Sequence, residues 1–176
     1  MLQVSKILMV RTDDGEPRSQ RLTVAMTVFI AAVVLIITGC QRKPVMAHAH
    51  FVHVPATGWQ QTLPLTFYPE YDDSTVTYNL LLAVRHQNNY AYSNLSLVVD
   101  VISEDSTVNR RPMNLTLADE YGNWTDGGFG TLYQERYILA TKVKPADARS
   151  VVVWQAMQAC DTLTGLVDVG ITTIPQ

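Results

Sequence analysis

Between residues 76 and 117 the chain alternates with a period of two. Val76, Tyr78, Leu80, Leu82 and Val84 fall on one side of an extended segment, with Thr77, Asn79 and Arg85 on the other. The same alternation sets Leu95, Leu97, Val99 and Val101 against Ser96 and Asp100, and Met113, Leu115 and Leu117 against Asn114 and Thr116. Successive side chains of a strand point to opposite faces, so each run predicts a strand with one buried and one wet face, the habit of antiparallel sheets. Further strands are expected at 63–68, 131–140, 150–157 and 166–174, between turn-rich pieces such as YDDS (71–74) and DGGFG (126–130). The segment 154–163 fits either a short helix or a strand followed by a turn, and the strand and turn are expected because no stretch past residue 40 keeps a convincing helical period. Strands at this spacing predict an all-β fold, an antiparallel, jelly-roll-like β-sandwich of about seven or eight strands.

Upstream the pattern changes character. Residues 22–39 carry no charge, and Arg18 and Arg21 stand just before them, as in the basic and apolar regions of an export signal. A retained membrane helix is the competing reading, because 18 residues reach the lower limit for spanning ~30 Å of hydrocarbon. The local chemistry favours the signal: Ile37, Thr38, Gly39 and Cys40 resemble a bacterial lipobox, in which small residues precede a cysteine that receives a diacylglycerol. The expected organisation is a lipoprotein signal peptide over 1–39, a lipidated tether over 40–47 and one β-sandwich domain over 48–176. Several acyl chains on Cys40 would hold the protein at a bilayer where one chain would not. Gln41 is not the aspartate of inner-membrane retention, and QRKP lacks the acidic run that marks surface export. An outer-membrane anchor facing the periplasm is therefore expected.

From Cys40 onward nine Lys and Arg face thirteen Asp and Glu, a net charge of −4 with no basic stripe, which argues against a nucleic-acid partner. With Cys40 acylated, Cys160 is the one cysteine left, so no intrachain disulfide is expected and packing must hold the core.

Candidate chemistry is sparse. His48, His50, His53 and His86 are ligand types, but on a strand His48 and His50 share a face and His53 takes the other, so a solvated segment is expected and no metal site. The piece DEYGNWTDGGFG (119–130) lacks both the Lys-Ser/Thr ending of a phosphate loop and the oxygen spacing of a calcium loop. It predicts a wide hairpin whose glycines supply positive φ, and Gly127, Gly128 and Gly130 are candidate fold-defining residues. Trp59, Trp124 and Trp154, with Tyr90 and Tyr92, suggest either packing or a sugar-stacking platform, and a glycan is kept as an alternative partner. Arg85 ends an apolar strand and is expected to pair with Asp100 or Asp168. No nucleophile elbow or spaced carboxylate pair occurs, so neither catalysis nor a cofactor is expected.

Taken in order, Trp59, the segment YNLLLAVRHQNNYAYSNLSLVV (78–99) with its Arg85, Tyr92 and Asn94, the 119–130 loop with Trp124, and the closing QAM (155–157) and LTGLVDVGI (163–171) resemble the gliding-motility lipoprotein H family, GldH. The resemblance spans nearly all of 40–176. It implies a small envelope lipoprotein associated with gliding machinery and a linked secretion system, without catalytic activity, working through other envelope proteins.

Overall fold

Burial follows the alternation along most of the strand Tyr78–Gln87, with Ala83 the one residue on the polar side that is buried. In the computed structural model, which describes residues 45–176 except Asp126, Tyr78, Leu80, Leu82, Val84 and His86 are all buried, while Asn79, Leu81 and Arg85 between them are half-buried. The strands are β1 (His48–His53), β2 (Trp59–Gln60), β3 (Leu65–Phe67), β4 (Tyr78–Gln87), β5 (Asn94–Ile102), β6 (Val108–Thr116), β7 (Gly128–Phe129), β8 (Leu132–Val143), β9 (Ser150–Gln155), β10 (Thr162–Leu163) and β11 (Leu166–Pro175). A single 3-10 turn, Pro145–Asp147, joins β8 to β9. The turn expected after the 150–157 strand is present, and the strand itself stops at Gln155. Val76 falls outside β4, because Thr75 and Asp73 close a turn there: both the Thr75 amide and its hydroxyl donate to the Asp73 carboxylate.

The pairing is nested. The hairpin β5–β6 sits at its centre; moving outward along the chain, β4 pairs with β8, β3 with β9 and β1 with β11, every pair antiparallel. The ribbon so formed wraps into a five-stranded sheet ordered β1-β11-β4-β8-β7 and a four-stranded sheet ordered β3-β9-β5-β6. This is the jelly-roll wrapping of a two-sheet sandwich expected from the sequence. Phe67, Leu95, Leu97, Val99, Leu115, Val151 and Val153 from one sheet meet Leu80, Leu82, Val84, Leu139, Val169 and Ile171 from the other in one continuous core. Each such side chain taken fully out of water contributes about 1.5–3 kcal/mol, which supplies the cohesion that a disulfide would otherwise provide.

Each sheet also fixes polar groups on its outer face. Arg85 lies over the Phe51 ring, 3.8 Å from its centroid, and pairs with Asp168 at 3.3 Å and with Gln134 at 2.7 Å. Phe51 in turn lies flat across Gly170, where a Cβ would come within 2.5 Å of the ring, so glycine is what lets the aromatic close over the sheet. On the other sheet Asp100 faces away from the core, as its position in the alternation requires, yet it is only 4% exposed. Its cross-strand neighbour Arg110 grips it through two 2.7 Å bonds and covers it. The expected wet position is therefore a shielded ion pair. Of the two partners expected for Arg85, the structure selects Asp168.

Candidate functional site

The alternation in β4 carries one step past its apolar residues and buries a histidine. His86 lies at the end of the strand with its ring 4.4 Å from Trp124, 5.7 Å from Tyr90 and stacked on Tyr133 at 5.5 Å. Its Nδ1 is 3.2 Å from the Gln87 carbonyl, a contact that only a protonated nitrogen can use. Nε2 is therefore the bare lone pair, and it is buried without a hydrogen-bond partner. The turn after β4 completes the cluster: Tyr90 donates its hydroxyl to the Asn94 carbonyl at 2.9 Å and meets Tyr92 edge-on, and Asn88 accepts the Trp124 indole N–H at 2.9 Å.

Over this cluster sits the 119–132 loop, held from several sides. The Asp119 carboxylate accepts the amides of Tyr121 and Asn123 and the side-chain amide of Asn123, which holds its pKa below the usual carboxylate range. Ala118 and Trp124 bridge as an isolated antiparallel pair. Thr125 donates its hydroxyl to the buried Glu135 carboxylate at 2.7 Å, and Tyr137 donates to the same carboxylate. The glycines divide their work. Gly130 has φ +67 and Gly122 has φ +83, whereas Gly127 and Gly128 do not use positive φ. Gly128 is instead needed for close approach, since a Cβ there would meet the Leu132 carbonyl oxygen and the Tyr133 ring at 2.7 Å.

Two aromatics escape this packing. Phe129 is 95% exposed and Tyr121 is 81% exposed. From Pro112 to Glu135 the chain has no Lys or Arg, while Asp119, Glu120 and Asp126 are acidic. The loop is thus a braced, acidic protrusion with large apolar side chains at its surface. Such chemistry suits recognition: it can bury aromatic area against a partner at little ordering cost.

The structure gathers some of the expected residues here and disperses others. Tyr92, Trp124, Gly127, Gly128 and Gly130 belong to this end of the molecule. Asn94 joins it through the Tyr90 bond and also donates to Asn114 at 2.7 Å. Arg85 is held on the outer sheet face, and Trp59 is 2% exposed in the core, so the three tryptophans make no common platform. His48 binds Asp72 at 2.8 Å, His53 binds Asp168 at 3.1 Å and His50 packs edge-on against Phe67. Among the described residues no group of three or more His, Cys, Asp or Glu is placed to hold a metal ion. Cys40 and the 1–39 segment lie outside the described residues. Sequence reasoning missed Asn88, Tyr121, Phe129 and Tyr133 as members of this end; His86 was legible as a core position, being the next even residue after Val84.

Burial lowers the His86 pKa, against the weaker opposing pull of the Gln87 carbonyl and the Glu135 charge. The folded state therefore prefers neutral imidazole while the unfolded chain takes up a proton near pH 6.5, so stability is whole above that pH and is lost as pH falls below it toward the folded value. Thermal midpoints measured from pH 8 down to pH 5 are expected to decline over the acid part of that range, and His86→Phe is expected to flatten the decline. Identical profiles for the two proteins would show that His86 is not buried neutral.

A family model described as GldH lipoprotein matches residues 46–173. A Christiangramia forsetii protein named gliding motility lipoprotein GldH homolog is 25% identical over 158 residues, spanning 85% of this chain and 94% of that protein. The Flavobacterium johnsoniae gliding motility lipoprotein GldH is 26% identical over 147 residues, spanning 80% of this chain and 89% of that protein. Among solved structures, the infectious bursal disease virus VP2 subviral particle covers 73% of this chain and 33% of its own at 12% identity and a TM-score of 0.31, a likeness too weak to bear on function.

Proposed function

The chain belongs to the GldH lipoprotein family, and from that premise we propose that it is a lipid-anchored envelope protein of a gliding-motility machinery that works by docking other envelope proteins, without catalysing a reaction. The observation that carries this reading is the family match itself, which runs from the start of the described chain almost to its end and so takes in both sheets and the 119–132 loop. Both relatives are named for gliding motility and lipidation.

In this reading Cys40 is acylated and holds the sandwich at the periplasmic side of the outer membrane, and residues 41–47 are the leash. The protein contact is the braced loop, with Tyr121 and Phe129 as its apolar anchors and its excess of acidic over basic residues favouring a partner surface that is basic around an apolar centre. That charge also disfavours insertion among anionic lipid headgroups. Linkage to protein secretion follows from the same family setting.

A strain whose chromosomal copy carries Cys40→Ala tests the anchor and the setting together. Labelled palmitate is expected to enter the parent protein and not the variant, the variant is expected to leave the membrane fraction, and surface spreading and secretion are expected to fall to the level of a deletion strain. Equal labelling of both proteins, or a deletion strain that spreads, secretes and assembles its envelope like its parent, contradicts the proposal.

A further inference from the structure

The outer face of the four-stranded sheet holds a depression of about 700 Å³ lined by Gln61, Val98, Arg110, Trp154, Gln158 and Asp161 among others. Trp154 is an outward residue of β9, half-buried, with Val98 beside it and Pro112 next across the sheet, so the floor is apolar. The other two indoles donate their N–H groups to protein acceptors, Trp59 to the Leu63 carbonyl and Trp124 to Asn88. Trp154 makes no such bond among the described residues. The Arg110 guanidinium lies over this ring, 5.3 Å from its centroid, fixed by Asp100 through Nε and Nη2, which leaves Nη1 unengaged and the charge largely cancelled.

The polar wall is preorganised. Gln155, 2% exposed, accepts the Met157 amide at 2.9 Å and donates to the Asp161 carbonyl at 3.1 Å. Gln61 donates to the Met157 and Cys160 carbonyls, and its own amide donates to the Asp161 carbonyl at 2.9 Å. These bonds pin segment 156–161 at both ends. They use backbone groups throughout, so the Gln158 amide and the Asp161 carboxylate remain without a protein partner among the described residues.

We propose that this depression binds a sugar ring of an envelope polysaccharide, packed against the Trp154–Arg110 pair. A pyranose has a C–H face that matches an indole and a rim of hydroxyls that needs donors and acceptors in its plane. The guanidinium, amide and carboxylate supply both, and a rigid site loses little entropy in doing so. With Arg110 neutralised by Asp100, the remaining charge is the Asp161 carboxylate, which favours neutral or amino sugars over anionic ligands. A protein contact fits less well, since a stable interface takes about 800 Å² from each side around an apolar centre, whereas here one indole is ringed by polar groups. The site is on the opposite sheet from β4 and β8, which carry the His86 end, so either reading can fail alone.

The test is titration of the detergent-solubilised lipoprotein, by calorimetry and indole fluorescence, with β-1,4-linked hexasaccharides of glucose and of N-acetylglucosamine and with delipidated polysaccharide from the cell's own lipopolysaccharide. At least one is expected to bind saturably. Trp154→Ala is expected to weaken that binding about ten-fold or more and Asp161→Ala about five-fold. Trp154→Phe, which keeps an aromatic face and the packing, retains it within about three-fold, and Tyr68→Ala, an exposed aromatic outside the depression, leaves it unchanged. Absence of saturable binding by the parent, or an unaltered isotherm for Trp154→Ala, overturns the proposal. So does a Trp154→Ala protein that keeps every saccharide isotherm but loses a protein crosslinked at this face, which would make the depression a protein contact.

Discussion

Replacing Trp59 with alanine is expected to destabilise the domain by about 3–5 kcal/mol, the largest stability effect of any single change considered. The side chain is 2% exposed, and truncating it leaves a cavity that the neighbouring strands cannot collapse into. The change also removes the 2.7 Å hydrogen bond that the indole N–H donates to the Leu63 carbonyl, a bond of the kind that contributes about 0.5–1.5 kcal/mol. Trp59 also stands opposite Leu163 in the short β2–β10 ladder, and its main-chain carbonyl, which the alanine variant keeps, accepts from Gln155. Domains of this kind have only about 5–15 kcal/mol in hand. Urea unfolding gives the check: a midpoint shift worth less than about 1 kcal/mol would mean that Trp59 is not the core residue its burial indicates.

The second large effect is the opposite in kind. Tyr121→Ser with Phe129→Ser is expected to leave stability within about 0.5 kcal/mol, because both side chains are exposed and neither joins the core. It is expected to remove docking, since an aromatic anchor at the centre of an interface is worth about 2 kcal/mol or more, a thirty-fold loss for each. Trp124→Ala would confound the two, because that indole braces the loop through Asn88 while packing on His86. The double serine variant separates the recognition surface from the structure that presents it.

Much of the sandwich could be read from the chain because each long strand has one wet face, so the period of two survives in its residues. Where a position serves two masters the reading fails. Asp100 occupies an outward place in the alternation and is nonetheless shielded, because Arg110 lies directly across in the register, and register is a property of the pair of strands. Trp59 stands in a strand of two residues, too short to show any period, so the chain alone left packing and a sugar platform both open for it. The His86 end shows both limits at once. The burial of His86 continues the even positions of β4, but Trp124 and Tyr133 reach it from a distant loop and strand. Gly128 illustrates the same point: the residue type announced a special backbone position, while the reason, a Tyr133 ring at 2.7 Å from where a Cβ would stand, required the fold.

The 119–132 loop is the proposed place of contact with another envelope protein. A photo-crosslinking residue placed at Phe129 in living cells tests it most directly, with Lys142, an exposed position on β8 outside that loop, as the comparison site. The expected result is one discrete adduct with a different envelope protein from position 129 and none from position 142. No protein adduct at 129, or the same adduct from both positions, would contradict the claim.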